Sequence, residues 1–143
     1  MWQTRFKGQT RSKGERSSRQ KKTDKLVSIF NEWIRRRDCG NGITRCISCG
    51  KPIRFEDCDC GHYINCGNWA TKFDEQNCNA QCRSCNRFKE GNIQGYRQGL
   101  IAKIGLRSVE MLEIKKHNTC HLSEVELDIL IAIYSKKLNE LKC

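Results

Sequence analysis

The sequence predicts a small α+β domain that is held together by zinc and flanked by helices. Two Cys-x-x-Cys pairs stand in the chain, Cys46 with Cys49 and Cys82 with Cys85. Each pair places two thiolates on one tight turn, and two such turns supply the four soft ligands of a tetrahedral structural zinc. Helix signals are few between the pairs, whereas amphipathic patterns precede and follow them. We therefore expect a zinc-clamped core over residues 46–104 between helical flanks.

Residues 1–22 are polar and basic, and they are rich in Ser, Gly and Gln. This composition cannot bury enough apolar surface to offset its chain entropy, so we expect a flexible basic arm before one domain over residues 23–143. The whole chain carries a formal charge of +11. Such a surplus favours a polyanionic partner, with nucleic acid as the default and a merely solubilising surface as the alternative.

The eleven cysteines would also suit a secreted disulfide framework. Against that class, the count is odd, two pairs have metal spacing, and the N-terminal residues lack an apolar run of signal-peptide length. A reducing cytoplasm with thiolates on zinc fits better. No stretch approaches the roughly 20 apolar residues that span a bilayer, so we expect a cytoplasmic protein without membrane contact.

Hydrophobic spacing predicts four helices around a core of short strands. Leu26, Phe30 and Trp33 recur at intervals of three and four residues, which is typical of one buried helix face. Ser123 and Glu126 have the spacing of a capping box. The predicted elements are helices over residues 23–38, 92–104, 108–116 and 123–141, with the last two forming a C-terminal helical pair over residues 108–141, strands over 53–55 and 60–64, and an irregular loop over 65–76.

His62 and two asparagines form a candidate hydrolytic site. Cutting a phosphodiester needs a water activated near neutral pH and a cation that stabilises the charge on the phosphate. His62 suits the first role, since an unperturbed imidazole accepts a proton at physiological pH. Asn86 offers an amide oxygen to a metal, and Asn77 is placed to fix the loop or to orient His62 through a backbone carbonyl.

The order of His62, Asn77 and Asn86, enclosed by the cysteine pairs, resembles the HNH (ββα-metal) endonucleases. The resemblance implies a two-stranded hairpin that carries the base histidine and a following helix that carries the last metal ligand. It also implies that the structural zinc joins the hairpin to the helix.

Longer phrases resemble the NinG (Rap) family of phage recombination endonucleases over roughly residues 24–141. They are Cys46-Ile-Ser-Cys49-Gly50-Lys51, Cys60-Gly61-His62-Tyr63-Ile64, Phe73-Asp74-Glu75-Gln76-Asn77 and Gln81-Cys82-Arg83-Ser84-Cys85-Asn86. The resemblance implies a structure-selective DNA endonuclease that uses Mg²⁺ or Mn²⁺ on branched intermediates such as Holliday junctions. It also implies a phage or prophage protein in a bacterial cytoplasm, and two symmetric cuts make a homodimer attractive.

One position departs from the HNH pattern. HNH enzymes commonly carry an acidic metal ligand directly before the base histidine, and here that neighbour is Gly61. Cys60 lies two positions before His62, so on a strand the two side chains share a face. A thiolate is a poor partner for Mg²⁺ and prefers a softer ion. Three possibilities remain open: Asp59 or Asp57 reaches the metal, Cys60 binds a softer cation, or Asn86 and the DNA hold the ion.

Other residues have alternative or supporting roles. Four further cysteines, Cys58, Cys60, Cys66 and Cys78, offer a second zinc site as an alternative to a catalytic Cys60. Basic residues around and after the second cysteine pair are expected to contact DNA phosphates without reading base sequence: Arg83, Arg87, Lys89, Arg97 and Lys103. The rival interpretation of the chain is a zinc-dependent nucleic-acid-binding protein without catalysis, because charge and zinc serve it equally well.

Overall fold

The computed structural model describes residues 14–142 as an α+β fold of four helices and two separate two-stranded sheets. Of the arm predicted over residues 1–22, residues 1–13 lie outside the described range. The elements are α1 (Ser18–Cys39), β1 (Ile43–Arg45), β2 (Pro52–Arg54), β3 (Cys58–His62), β4 (Cys78–Cys82), α2 (Ile93–Ile104), α3 (Leu106–Lys115) and α4 (Glu124–Lys142). No helix in the described range has an apolar stretch long enough to cross a bilayer.

Helix α1 begins at Ser18, five residues before the predicted start. The Ser17 hydroxyl caps it by accepting the Gln20 N–H at 3.2 Å. Lys22 forms ion pairs with Glu124 and Asp128 of α4, at 3.3 and 2.7 Å. Residues 18–22 therefore belong to the helix and not to the arm. Their charged composition resembles that of a linker, but ion pairs with α4 stabilise them as helix.

The principal core lies between α1 and α4. Phe30 of α1 meets Tyr134 of α4 edge to face, with ring centroids 4.8 Å apart. The predicted capping box is present, since Ser123 N–H donates to Glu126 Oε2 at 2.7 Å and Glu126 N–H donates to Ser123 Oγ at 3.2 Å. The buried members of this cluster are Leu26, Phe30, Trp33, Ile34, Cys78, Leu127, Tyr134 and Leu138.

Strands β3 and β4 form an antiparallel hairpin in which His62 pairs with Cys78 and Cys58 with Cys82. Strand β1 pairs with β2 in the same sense. The strand predicted at 60–64 corresponds to β3, which begins two residues earlier and ends at His62. The irregular loop predicted between the hairpin strands is present, and it places His62 and Cys78 at its two ends.

Helix α2 packs against the turn that carries the first cysteine pair. A Cβ atom at Gly95 would overlap the carbonyl oxygen of Ser48, and one at Gly99 would overlap that of Ile47. These two glycines lie one helical turn apart, so one side of α2 is smooth enough for direct contact with backbone. Tyr96, between them, donates its hydroxyl to the Gly61 carbonyl at 2.8 Å. Helix α2 thus braces β3 directly before His62.

Candidate metal sites and the adjoining cleft

The four cysteines of the two Cys-x-x-Cys pairs meet in space. Cys46 and Cys49 lie on the turn between β1 and β2, Cys82 ends β4, and Cys85 lies in a five-residue π-helical segment, Ser84–Phe88. Their sulfur atoms all lie within 4.8 Å of one another. Cys49 and Cys82 are 3.8 Å apart, about the sulfur–sulfur edge of a tetrahedron with 2.3 Å zinc–sulfur bonds. The predicted grouping is confirmed, and the cluster is suited to a metal such as zinc.

Backbone groups around this cluster stabilise negative charge on sulfur. The Cys82 N–H donates to Cys46 Sγ at 3.3 Å, and the Cys85 N–H donates to Cys82 Sγ at 3.4 Å. Burial opposes ionisation of Cys46, but the backbone N–H groups of Cys82, Cys49 and Ser48 lower the pKa of its thiol to about 7. Burial and the adjacent sulfur atoms raise the pKa of Cys82 to about 12. The amide donors alone therefore favour a thiolate at Cys46, whereas Cys82 needs a cation to compensate its charge.

A second group of metal-binding side chains lies at the loop end of the β3–β4 hairpin. The donor atoms of Cys60, His62 and Cys78 lie within 4.8 Å of one another. The alternative four-cysteine set is not assembled in the structure. Cys58 packs beside Cys39 in a separate buried cluster, and Cys66 is exposed and outside the three-residue group. The group that does form contains His62 in place of Cys58 and Cys66, because His62 is the cross-strand partner of Cys78.

A cleft of about 540 Å³ opens beside this second group. It brings together His62, Asn86 and Cys60 from three predicted roles. Among the described residues that line it, Glu90 is the one carboxylate. The lining residues are Val27, Asn31, Cys60, His62, Tyr63, Asn65, Cys66, Lys72, Phe73, Asn86, Glu90, Gly91 and Ile93.

Three of the polar residues in the cleft were not expected from the sequence. They are Asn31 on α1, Lys72 in the loop before β4, and Glu90 after the π-helical segment. Glu90 has a positive φ of 50°, as does Asn92 at 42°. Neither Asn31 nor Lys72 has a motif around it, and only the tertiary packing of α1 and the loop on β3 brings them to His62. For Glu90, the one indication in the sequence is its position four residues after Asn86.

His62 is half-buried, and its ring is fixed by the loop. The Nε2 atom lies 3.0 Å from the carbonyl oxygen of Lys72. A carbonyl only accepts hydrogen bonds, so Nε2 carries the proton and the neutral ring has its lone pair on Nδ1. Burial lowers the pKa of His62, and the positive charge of Lys72 acts in the same direction against the opposing carbonyl bond. The imidazole is therefore neutral, and basic at Nδ1, near physiological pH.

Asn77 fixes the loop and makes no bond to His62. Its Oδ1 accepts the Ile64 N–H at 2.7 Å, and its Nδ2 donates to the carbonyls of Ile64 and Thr71 at 3.0 and 3.1 Å. The side chain is fully buried. Asn77 is therefore a positioning residue that holds the chain directly after His62, which was one of the two roles expected from the sequence.

Asn86 and Asp59 contact each other, and Asp59 is occupied by counterions. Asn86 Nδ2 donates to Asp59 Oδ2 at 3.0 Å, and Arg87 binds both carboxylate oxygens at 2.7 and 2.8 Å. Burial opposes ionisation of Asp59, but the bonds from Arg87 and Asn86 lower the pKa of this carboxyl. Asp59 is absent from the cleft lining, and Asp57 pairs with Arg83 at 3.5 Å. Neither acid therefore reaches His62 as a metal ligand.

Gly61 lacks a side chain because Gln81 fills the space. A Cβ atom at position 61 would overlap the side chain of Gln81. Gln81 is fully buried and donates to the Ser48 hydroxyl at 2.7 Å and to the Gly91 carbonyl at 2.6 Å. An acidic side chain directly before His62 is therefore sterically excluded in this fold.

Four of the five basic residues predicted to bind phosphate lie in ion pairs. Arg83 and Arg87 pair with Asp57 and Asp59, as described. Arg97 pairs with Glu113 at 2.7 Å, and Lys103 pairs with Asp38 at 3.2 Å. Lys89 is exposed and has no ion pair with any residue of the range 14–142. Arg97 and Lys103 lie on α2 and brace helices and strands. Lys72 lines the cleft, and Arg87 and Lys89 are chain neighbours of its lining residues Asn86 and Glu90.

These features define a small α+β protein with a four-cysteine cluster suited to zinc and a second Cys–His cluster beside a cleft. The family model described as "Bacteriophage Lambda NinG protein" matches residues 3–143. The chain belongs to the NinG family.

Curated relatives come from phages. The chain is 36% identical to "Protein ninG" of Escherichia phage 933W over 113 residues, covering 78% of this chain and 54% of that protein. It is 35% identical to the "Protein ninG" of Salmonella phage P22 and of Escherichia phage lambda, covering 78% of this chain and 53% of each. The chain therefore spans about half the length of these relatives. No solved structure matches it.

Proposed function

We propose that this protein is a metal-dependent, structure-selective DNA endonuclease whose reactive site is the cleft at His62 and Asn86. The proposed substrate is a branched recombination intermediate such as a Holliday junction. The observation that carries the proposal is the neutral, loop-fixed His62 facing a cleft that Asn86 and Glu90 also line. The membership of the chain in a phage family is consistent with a role in recombination.

The chain order around the cleft supports an HNH-like ββα unit. Strand β3 ends at His62, a loop follows, and β4 leads into the π-helical segment Ser84–Phe88 that carries Asn86. The four-cysteine cluster ties the end of β4 and this segment to the β1–β2 turn. A helical segment of five residues is shorter than the helix that the HNH pattern implies, so the support comes from order and placement.

His62 is proposed as the general base. Its protonated Nε2 is held by the Lys72 carbonyl, and its unprotonated Nδ1 accepts the proton of the attacking water. Asn77 keeps the loop in place through its two hydrogen bonds to the backbone of Ile64. A positioned base of this kind contributes roughly 10²–10⁴-fold to a hydrolysis rate.

Glu90 and Asn86 are two oxygen donors in the cleft that suit a hard cation. A carboxylate and an amide oxygen, completed by water and phosphate oxygens, are the usual partners of Mg²⁺. Asn86 uses its Nδ2 on Asp59, so its Oδ1 is the atom available to an ion. Bound Mg²⁺ or Mn²⁺ would stabilise the charge that develops on the phosphate and the leaving oxygen.

Charge and one exposed aromatic ring fit a nucleic acid beside the cleft. Lys72 lines the cleft itself, and Lys89 follows the segment that carries Asn86. Phe88 lies between Arg87 and Lys89 with 82% of its surface exposed. An exposed ring among cations can stack on the face of a base, and stacking between arms is interrupted at the branch point of a junction. Such contacts depend on DNA shape and not on base sequence.

The proposal is tested by cleavage of a labelled four-way junction in Mg²⁺ or Mn²⁺. We expect the wild-type chain to cut the junction and His62→Ala to lose about 100-fold or more of the rate. His117→Ala is the matched control, because His117 is exposed on the α3–α4 connection and should cut normally. Binding without cleavage by the wild type in both ions, or full activity of His62→Ala, would reject the proposal.

One observation favours the non-catalytic rival. Asp59, the acid nearest to His62 in sequence, is occupied by Arg87 and Asn86, and Glu90 alone supplies a carboxylate to the cleft. A zinc-stabilised DNA-binding protein would need none of these groups for chemistry. In the assay above, that protein would bind the junction, and His62→Ala would leave the affinity unchanged.

A further inference from the structure

The two thiols beside His62 have no part in the proposed hydrolysis. Cys60 lines the cleft with His62, whereas Cys78 is fully buried beneath it. The three donor atoms lie within 4.8 Å of one another. We infer that Cys60, His62 and Cys78 bind a borderline-soft divalent cation such as Zn²⁺, with a fourth coordination position that faces the cleft.

The hairpin holds these three donors in register. Cys60 and His62 are two residues apart on β3, so their side chains share a face of the strand. Cys78 is the cross-strand partner of His62. Tetrahedral zinc with bonds of about 2.0–2.3 Å places its donors roughly 3.5–3.8 Å apart. A contraction of roughly 1.3 Å or less among side chains already in place would therefore close the site.

The environment of His62 is that of a metal-binding imidazole. A histidine on a metal almost always donates its other ring N–H to a carboxylate, a carbonyl or water, which fixes the tautomer. The Lys72 carbonyl receives Nε2 in this way at 3.0 Å and leaves the lone pair on Nδ1. The loop that Asn77 anchors thus supplies the outer partner of the site.

The donor set selects the class of ion. Two thiolates and a neutral imidazole favour zinc or a similar ion over Mg²⁺. Two negative sulfurs also balance a divalent cation, so the buried Cys78 would carry no uncompensated charge. Three protein ligands with one open position are the arrangement of catalytic zinc sites, whereas structural sites have four. Cys66 lines the cleft but is exposed and outside the group, which leaves the fourth position to water or a ligand oxygen.

Occupancy of this site would change what His62 can do. A ring nitrogen that is bound to a cation cannot accept a proton from water. This consequence, unlike the binding itself, rests on the proposed function. A second equivalent of zinc should therefore suppress the Mg²⁺-dependent cleavage by about 100-fold, the lower end of the contribution of a general base.

The binding is tested by counting ions on the intact full chain with native mass spectrometry after zinc loading. We expect two zinc ions on the wild type and one on Cys60→Ser and on Cys78→Ser. Cys66→Ser is the matched control and should keep two. Circular dichroism checks that each variant is folded, and Cys60→Ser, at a half-buried position, covers the case in which Cys78→Ser does not fold. One ion on the wild type, or two on a folded Cys60→Ser, would overturn the inference, and one on Cys66→Ser would overturn the open position.

Loading with Co²⁺ and the cleavage assay separate the two proposals. The sulfur-to-cobalt absorption should fall in Cys60→Ser relative to Cys66→Ser, whether or not the protein cuts DNA. If the junction is cut and the second zinc suppresses cleavage in the wild type but not in Cys60→Ser, the regulatory consequence stands. If the second zinc accelerates cleavage, the metal site stands and His62 is not the base. If only one ion binds and Mg²⁺ supports cleavage, the nuclease proposal stands and this inference fails.

Discussion

The residue before His62 shows how one side chain limits the chemistry of its neighbours. Gln81 occupies the space next to Gly61, and its Oε1 is buried without a hydrogen-bond partner in the described residues. A buried carbonyl oxygen without a partner costs free energy. Its two donated bonds, to Ser48 and Gly91, join β4 to the cysteine turn and to the chain that follows the π-helical segment. The position that carries an acid in the HNH pattern is therefore used here for packing.

We expect Gly61→Ala to lower the free energy of unfolding by about 1–3 kcal/mol, because the added methyl group must displace Gln81. Urea unfolding of the zinc-loaded protein measures the change. Gly14→Ala is the control, since a Cβ there meets nothing within 4 Å, and it should change the stability by less than about 0.5 kcal/mol. Equal effects of the two substitutions would contradict the steric explanation.

At the scale of elements, the C-terminal end of α1 is joined to β4 by a charged pair. Arg37 donates to the carbonyls of Glu75 and Cys78, both at 2.9 Å. Asp38 accepts the Ala80 N–H at 2.8 Å. The Ala80 carbonyl in turn accepts the Ile47 N–H at 3.0 Å. Helix, hairpin and cysteine turn are therefore linked through one buried carboxylate.

The stability that Asp38 contributes should depend on pH. Burial opposes its ionisation, but the bonds from Arg37, Ala80 and Lys103 lower its pKa below the unfolded value. A group with a lowered folded pKa contributes fully above the unfolded pKa of about 3.9, and the contribution is lost as the pH falls through the folded pKa. We expect Asp38→Asn to cost about 1–3 kcal/mol at pH 7.

The difference in unfolding free energy between wild type and Asp38→Asn, measured by urea unfolding, should stay constant from pH 7 to 5 and shrink below about pH 4. Release of zinc at low pH affects both proteins through the same cysteines and cancels in this difference. A difference that grows on acidification would contradict the assignment of the charged pair.

The predictions from sequence succeeded where the signal is local. The ends of α2, α3 and α4 lie within two residues of the predicted helix ends. The apolar spacing and the turn residues that indicate these helices lie close together in the sequence. The two Cys-x-x-Cys turns meet as predicted. Strands β1 and β4 were not predicted, and β4 (Cys78–Cys82) contains no β-branched or aromatic residue. Its strand conformation comes from pairing with β3 and from Asp38, which are distant in sequence.

The candidate site was predictable only in part for the same reason. His62 and Asn86 stand in motifs, and the structure places both in one cleft. Cys78, Lys72 and Glu90 join them through loop closure and cross-strand register, which a motif does not record. Asp59 looked available as a ligand because its neutralisation by Arg87 depends on the fold of the π-helical segment.

At the scale of the whole molecule, the apolar core is divided into three clusters of unequal strength. The α1–α4 cluster contains four aliphatic and three aromatic side chains, and a second joins α2 and α3. The central cluster has Ile53 and Ala80 as its buried members other than cysteine. Such a region buries little hydrocarbon, so a metal bound by the four-cysteine cluster would supply much of its folding free energy.

We expect removal of zinc by a chelator to unfold the central region, while the α1–α4 pair keeps much of its helicity. Circular dichroism and thermal unfolding before and after chelation measure the loss of structure and of unfolding free energy. The loss of unfolding free energy should be at least several kcal/mol, by analogy with about 10–16 kcal/mol for zinc binding by zinc-finger peptides. Cys49→Ser should reproduce the effect. Cys120→Ser, outside both cysteine groups, should not, and an unchanged melting temperature after complete chelation would reject a structural role for the metal.

The buried side chain of Asn77 behaves like one more peptide group at the end of the hairpin. Its Oδ1 accepts the N–H of Ile64 and its Nδ2 donates to the C=O of Ile64, which adds a rung beyond the paired residues His62 and Cys78. Deamidation would replace the donor with an oxygen that faces two carbonyls, those of Ile64 and Thr71. Deamidation, which adds only about one mass unit, would therefore release the loop. It would also release the Lys72 carbonyl that sets the tautomer of His62.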